Sequence, residues 1–298
     1  MDDGLLRRIH DALTHAELSF TVEGALVFGS RVSGKATPSA CGGDVDLLVV
    51  AEDIHPKLHR RGGEICNVKR ILSPLPVDVL LLTRKEVISN FNNHNPLFLD
   101  IAEEGEIILD TESFLETLIA ATRTYVRQRG IQRTEGGWVF PVRAGAPSLL
   151  SKVSNKDFSL AMLTDGGRDF TIGKRLSSDG FFDKAVYQFQ QAVEKSIKSV
   201  LIAIGVFERT HFVGEVLRKY ANIGTIPEKW RNDILEIADL SSGMEPDVSL
   251  SRYPGIIEDT LWLPFEEYEP EDALKAMEKA EKVLSVAKRF IGDWFPAG

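Results

Sequence analysis

The chain has 298 residues, 43% of them hydrophobic and 27% charged, which predicts a folded chain with more than one domain and excludes wholesale disorder. Its net charge of -9 at pH 7 argues against sequence-blind binding to a nucleic-acid backbone. The two cysteines form no CxxC pair and predict neither a disulfide framework nor a zinc cluster. We find neither an N-terminal signal segment nor an apolar run of about 20 residues, and therefore expect a cytoplasmic protein without a membrane partner.

Three short apolar runs near the N-terminus predict a buried sheet. The runs are residues 24–28, 45–51 and 77–83. Their nearly continuous hydrophobicity is typical of strands that are covered on both faces. Apolar spacing predicts helices around them, over residues 4–17, 84–91 and 96–105. A short edge strand is predicted over 106–110, and the order of the strands in the sheet stays open.

The second half of the chain has a different pattern. A helix is predicted over 111–129, and a stretch rich in glycine and proline follows over 130–151. Beyond it, apolar residues recur at helical spacing in four segments, residues 154–178, 182–204, 226–240 and 270–291. We therefore predict an α+β protein: an N-terminal α/β domain with a small mixed sheet (1–130), a connector (131–153) and an all-α bundle (154–298).

Carboxylates stand at the start of two of the predicted strands. Asp44 and Asp46 are one residue apart and project from the same side of an extended chain. Because two like charges in a partly buried place resist ionisation, a divalent cation would relieve the cost, and Mg²⁺ usually takes one or two carboxylates plus phosphate oxygens. Asp78 opens the next apolar strand and joins the pair if the two strands are neighbours. This pattern indicates metal-assisted phosphoryl or nucleotidyl transfer.

A candidate phosphate cradle precedes the carboxylates. Gly29 and Ser30 end the first apolar run, and a glycine lets the backbone approach a ligand closely. If a helix begins at Ser30, its free N–H groups offer an anion site. Arg31 and Lys35 add two cations nearby, and we predict these four residues to bind the nucleotide.

This order of parts resembles the minimal nucleotidyltransferases of the DNA polymerase beta superfamily. The resemblance covers about residues 20–110 and rests on Gly29-Ser30, Asp44-Val45-Asp46-Leu47 and Asp78-Val79-Leu80. It implies that Asp44 and Asp46 bind Mg²⁺ (or Mn²⁺), and that Asp78 completes the metal site and helps to activate a hydroxyl acceptor. It also implies that Gly29 and Ser30 lie against a nucleoside triphosphate, for which ATP is our expectation.

The helical half resembles the HEPN domain, and the fused order is similar to that of kanamycin-type nucleotidyltransferases. The resemblance covers about residues 154–292 and rests on Gln190-Gln191, Glu194-Lys195, Lys198, His211 and Arg252-Tyr253-Pro254. One interpretation places four residues on the acceptor side of the reaction, namely Gln191, Glu194, Lys195 and His211. The alternative is a solvated helix face with some bonds between helices. Family analogy also predicts a homodimer.

Two other functions stay open at this point. The chain could be a toxin–antitoxin-like fusion, in which the first domain modifies or restrains a helical domain that cleaves RNA. Ribonucleases of the HEPN family use an arginine four to six residues before a histidine, whereas Arg209 and His211 are separated by one residue, which argues against it. The chain could also bind a nucleotide without turnover. The sequence does not name the acceptor, which could be a small molecule, a protein hydroxyl or an RNA end, and it leaves nucleic acid as a partner undecided.

Overall fold

The computed structural model describes residues 3–29, 32, 44–148, 150, 153–257 and 259–296. The chain divides into two compact units, residues 1–130 and 131–298. The elements of the first unit are α1 (Asp3–His15), β1 (Thr21–Phe28), β2 (Val45–Glu52), α2 (Gly62–Leu72), β3 (Val77–Leu82), α3 (Arg84–Asn92), α4 (Pro96–Glu104), β4 (Glu106–Asp110) and α5 (Phe114–Arg129).

The first unit is built on a four-stranded sheet with the strand order β3-β2-β1-β4. β2 and β3 are parallel, whereas β1 pairs antiparallel with both β2 and β4, so the predicted small mixed sheet is confirmed. Two parallel neighbours require a crossover connection. α2 lies in that connection, and this helix was not predicted from the sequence.

Both faces of the sheet are covered, which explains the continuous apolar runs. Alternate side chains of β2 point to opposite faces. On one face the strands pack with residues of α1 and α2, including Val45, Leu47, Val49, Ile9 and Val68. On the other face they pack with residues of α3, α4 and α5, including Leu48, Val50, Phe91, Phe98 and Phe114. The even-numbered positions of β2 and β3 therefore share a face with the second cluster.

The basic stretch just before α2, residues 57–61, is exposed except at Arg61. Arg61 has 0% of its surface exposed, although its neighbour Arg60 is exposed. Its guanidinium forms a two-pronged contact with Glu86 (2.7 and 2.8 Å) and also donates to the Leu81 carbonyl (3.0 Å). Burial acts to raise the pKa of Glu86, but the hydrogen bonds and charge of Arg61, with bonds from Thr83, outweigh it and lower that pKa.

The second unit is dominated by helices. Its elements are β5 (Gln132–Arg133), β6 (Gly137–Val139), α6 (Asn155–Ser178), α7 (Phe182–Ala203), β7 (Val206–Glu208), α8 (Val213–Asn222), α9 (Glu228–Ser242), α10 (Asp247–Leu250), β8 (Gly255–Ile257), β9 (Thr260–Trp262), α11 (Pro264–Glu267) and α12 (Pro270–Trp294). The predicted helical bundle is confirmed. The small sheet β5-β6-β7 and the hairpin β8-β9 were not predicted from the sequence.

Helices α6 and α7 pack closely along their length. Ser159 Oγ donates to the Ser199 carbonyl at 2.8 Å. Gly173 faces the ring of Phe189, where an added Cβ would come within 2.7 Å of a ring carbon, so the missing side chain permits the close approach. No helix in the described part of the chain has both the length and the apolarity needed to cross a bilayer.

Candidate functional site

The structure brings two of the three predicted acids together at one end of the sheet. The backbone N–H of Val45 donates to the Pro76 carbonyl at 2.9 Å, so β2 and β3 begin side by side. Asp46 is the register partner of Asp78, and both side chains lie on the same face. Since neighbouring strands are about 4.8 Å apart, the two acids are direct neighbours across the paired strands. Asp44 precedes β2 by one residue and is exposed.

Gly29 packs directly against the carboxylate of Asp46. Its φ of +83° lies in the left-handed region, which side chains rarely adopt. An added Cβ would overlap Asp46 Oδ2, so the backbone turns directly over this carboxylate and leaves no room for a side chain. The other three residues predicted to bind the nucleotide, Ser30, Arg31 and Lys35, lie outside the described residues.

Lys69 adds a positive charge at the acidic end of the sheet. It lies in the last turn of α2, and its Nζ is 3.8 Å from Asp78 Oδ1, in a pair whose carboxylate is 74% exposed. An exposed pair of this kind contributes little to stability. Lys69 was not among the predicted site residues, because no helix was predicted between β2 and β3. The signal was present, since Ile65, Val68 and Leu72 recur at helical spacing.

The carboxylates fit a metal that arrives with its substrate. Among the described residues, no three His, Cys, Asp or Glu side chains come close enough together to hold a metal ion. However, Mg²⁺ commonly binds through one or two carboxylates and completes its ligands with substrate phosphates and water. The neighbouring Asp46 and Asp78 supply that smaller set.

A second polar cluster lies in the helical unit around Glu194. This carboxylate is 5% exposed; its oxygens lie 3.1 Å from His211 Nδ1, and Oε1 accepts from Lys198 Nζ at 2.8 Å. Burial acts to raise the pKa of Glu194, but the hydrogen bonds and charges of Lys198 and His211 outweigh it and lower that pKa. Gln191 donates to Gln190 Oε1 at 2.7 Å, and Gln190 borders the cluster.

The structure thus groups three of the four predicted acceptor-side residues, Gln191, Glu194 and His211. Lys195 is engaged elsewhere, because its Nζ lies 2.7 Å from Asp165 and 2.6 Å from Asp169 on α6. The interpretation as a solvated face is wrong for Glu194, which is buried, whereas the expected bond between helices is present at Lys195.

The contact between His211 Nδ1 and Glu194 orients the imidazole ring and does not use its Nε2 atom. The contact with Glu194 engages Nδ1, and when the ring is neutral and donates from Nδ1, its Nε2 atom is an acceptor. The His211 side chain itself is exposed. A buried carboxylate behind an exposed imidazole is an arrangement that can accept a proton from a ligand.

Comparison with known proteins gives matches to both units. Residues 6–108 match the model of the nucleotidyltransferase domain, and residues 161–290 match that of the HEPN domain. A protein of Methanocaldococcus jannaschii named "Putative toxin" is 35% identical over 125 residues, which are 42% of this chain and 82% of that protein.

Two solved structures are also similar to the chain. An archaeal HEPN homologue is 25% identical, with a TM-score of 0.35, and the match covers 45% of this chain and 97% of the other. A nucleotidyltransferase-like protein from Exiguobacterium sibiricum is 17% identical, with a TM-score of 0.43, and the match covers 98% of this chain and 77% of the other.

Proposed function

The chain belongs to the nucleotidyltransferase and HEPN families, with one domain of each, and on that premise we propose that its first unit transfers a nucleoside monophosphate from a nucleoside triphosphate, ATP in our expectation, to a hydroxyl acceptor. The observation that carries the proposal is the register of Asp46 with Asp78 beneath the turn at Gly29. Two carboxylates at neighbouring positions of paired strands are the ligand set that Mg²⁺ commonly takes together with substrate phosphates.

Each residue has a distinct part in the proposed reaction. Asp46 and Asp78, with Asp44, would hold Mg²⁺ or Mn²⁺, which neutralises phosphate charge and favours displacement at the α-phosphorus. The exposed Asp78 accepts the proton of the acceptor hydroxyl. The acceptor oxygen then bonds to the α-phosphorus while the bond to pyrophosphate breaks. Lys69, beside Asp78, offers a positive charge to the phosphates.

The test uses the full chain, Mg²⁺ and ATP labelled at the α-phosphate. Three acceptor pools are supplied separately: small metabolites, total RNA and total protein. We expect label transfer and pyrophosphate release with one pool, and loss of both in Asp46→Asn and in Asp78→Asn. Glu52→Gln, an exposed carboxylate at the far end of β2, is the matched control and should keep the activity. Equal transfer by the Asp46→Asn variant and the unaltered chain would remove the proposal.

A second candidate function is cleavage of RNA by the helical unit, with the first unit restraining it. It is favoured by the Glu194–His211 contact and by the name of the Methanocaldococcus jannaschii relative. The single residue between Arg209 and His211 weighs against it, so it ranks second. Cleavage of RNA by the full chain should then be lost in His211→Gln and retained in His59→Gln, an exposed histidine of the first unit. Absence of cleavage by Asp46→Asn and the unaltered chain alike removes this candidate.

A further inference from the structure

The hairpin β8-β9 has one face, which we call its inner face, that is anchored to the rest of the helical unit. Trp262 carries this anchor, because its Nε1 donates to the Leu250 carbonyl at 3.0 Å. The ring of Trp262 also meets that of Tyr268 edge-on, with 6.4 Å between the centroids. The Tyr268 hydroxyl in turn donates to Asp247 Oδ1 at 2.6 Å. These contacts fix the position of the hairpin from one side.

The opposite, outer face of the hairpin is apolar and exposed. Ile256 and Leu261 are register partners in the antiparallel pair, and residues directly opposite each other project from the same face. Since successive residues of a strand point to opposite faces, Leu261 points away from the face that carries Trp262. Ile256 is 79% exposed and Leu261 is 64% exposed. The solvated face of an antiparallel pair normally carries polar residues, so packing within the chain does not explain these two side chains.

A third exposed apolar side chain and a run of acids follow the hairpin. Phe265, in the short helix α11, is 66% exposed, and its neighbours Glu266 and Glu267 are exposed as well. Within the described part of the chain, neither of these two glutamates has a cationic partner. The sequence between Arg252 and Lys275 contains seven aspartates and glutamates but no lysine, arginine or histidine. This surface is therefore both apolar and uniformly negative.

The charge of this surface restricts what can cover it. Its acids repel the phosphates of nucleic acids and of anionic lipids. A protein segment that carries both apolar residues and lysines or arginines meets both of its properties. The apolar residues of such a segment would cover Ile256, Leu261 and Phe265, as in the centre of a protein interface. Its cations would face Glu266 and Glu267, and complementary charge of this kind selects between partners.

We propose that the outer face of β8-β9 and the adjoining α11 form a docking surface for a positively charged protein segment with apolar residues. Ile256, Leu261 and Phe265 form the apolar centre of this surface, and Glu266 and Glu267 form its charged rim. The contacts of the inner face hold the surface in place before the partner arrives, so little conformational entropy is lost on association. The surface uses no residue of the proposed nucleotidyl transfer, and the two proposals are tested separately.

The experiment measures the binding of three short fluorescent peptides to the full chain by anisotropy. The first peptide alternates leucine with lysine, the second has glutamate in place of each lysine, and the third has serine in place of each leucine. We expect the chain to bind the first peptide, to bind the third more weakly and not to bind the second. Added salt should weaken the binding of the first peptide, because exposed charge pairs are screened.

Matched variants assign the binding to the hairpin. Ile256→Ser combined with Leu261→Ser should weaken the binding of the leucine–lysine peptide about thirtyfold, as expected for the loss of a central apolar anchor. Ile172→Ser combined with Ile223→Ser is the control, since both residues are exposed apolar side chains elsewhere in the helical unit. This control variant should bind the peptide as the unaltered chain does. Equal binding by the two double variants, with unchanged thermal unfolding of both, would overturn the proposal.

Charge reversal and self-association separate this partner from others. Glu266→Lys combined with Glu267→Lys should weaken the binding of the leucine–lysine peptide about tenfold and allow the leucine–glutamate peptide to bind. Equal binding of these two peptides by the unaltered chain, or binding of neither, would show that the surface does not recognise positive charge and would overturn the proposal. Self-association of the chain in sedimentation experiments, lost in the hairpin variant, would instead assign the surface to a second copy.

Discussion

Replacement of the buried arginine of the first unit by methionine, Arg61→Met, should strongly destabilise that unit. Methionine fills a similar volume but cannot donate, so Glu86 loses contacts of 2.7 and 2.8 Å and the Leu81 carbonyl loses one of 3.0 Å. Breaking a buried ion pair from one side costs about 3–5 kcal/mol. Because the Glu86 side chain is 32% exposed, water replaces part of the loss, and we take about 3 kcal/mol from that range. The unsatisfied carbonyl adds about 1 kcal/mol, which gives about 4 kcal/mol in total.

The chain offers a convenient way to assign this loss to one unit. All four tryptophans belong to the second unit: Trp138, Trp230, Trp262 and Trp294. In urea unfolding, tryptophan fluorescence therefore follows the second unit, whereas far-ultraviolet circular dichroism follows both. We expect Arg61→Met to lower the stability that circular dichroism reports for the first unit, and Arg60→Met, at the exposed neighbour, to change it by less than about 0.5 kcal/mol. A loss under about 1 kcal/mol in Arg61→Met would refute the reasoning.

Two further predictions concern the two polar sites. Gly29→Ala should cost about 1–2 kcal/mol from its positive φ alone, with more from the displaced Asp46 carboxylate, as measured by thermal unfolding. Gly62→Ala, where an added Cβ meets nothing within 4 Å, is the control, and equal stability of the two variants would contradict the prediction. Since the pKa of Glu194 is held below its usual 4.5, its ionised form stabilises the fold fully above that pH and progressively less as the pH falls through the lowered value. The stability difference between the unaltered chain and Glu194→Gln should accordingly shrink on acidification below about pH 4.5, and a difference that is constant from pH 7 to pH 3 would contradict the assignment.

The strands β2 and β3, which carry the acids, could be predicted because buried strands are rich in apolar residues. β2 and β3 are covered on both faces, and each is therefore apolar at nearly every position. The pairing of Asp46 with Asp78 could not be derived in the same way, because it depends on strand order. α2 could have been predicted, since a parallel pair of strands requires a crossover and apolar residues recur at helical spacing in the segment between the two strands. The strands β5, β6 and β7, of two or three residues each, are too short to show any periodicity.

Buried polar residues were the least predictable part of the chain. Arg61 and Glu194 both stand in polar stretches that resemble solvated surface. The partner of Arg61 lies 25 residues away and that of Glu194 lies 17 residues away. Such ion pairs form through tertiary packing, and neither helical nor strand spacing of the sequence predicts them. The same reason explains why Lys195 was grouped with Glu194, its neighbour in sequence, although it bonds to a different helix.

The parallel pairing of β2 and β3 also limits how many residues can be inserted into or deleted from either strand. Because side chains alternate between faces, a single-residue insertion within β3 after Val77 would turn the Asp78 carboxylate, or the residues that follow it, toward the opposite apolar cluster. An insertion in the segment between the strands leaves both faces unchanged. Homologous chains that keep the two acids should therefore differ in length mainly in the loops that flank α2 (Gly62–Leu72), while within the paired strands they should gain or lose residues only in twos.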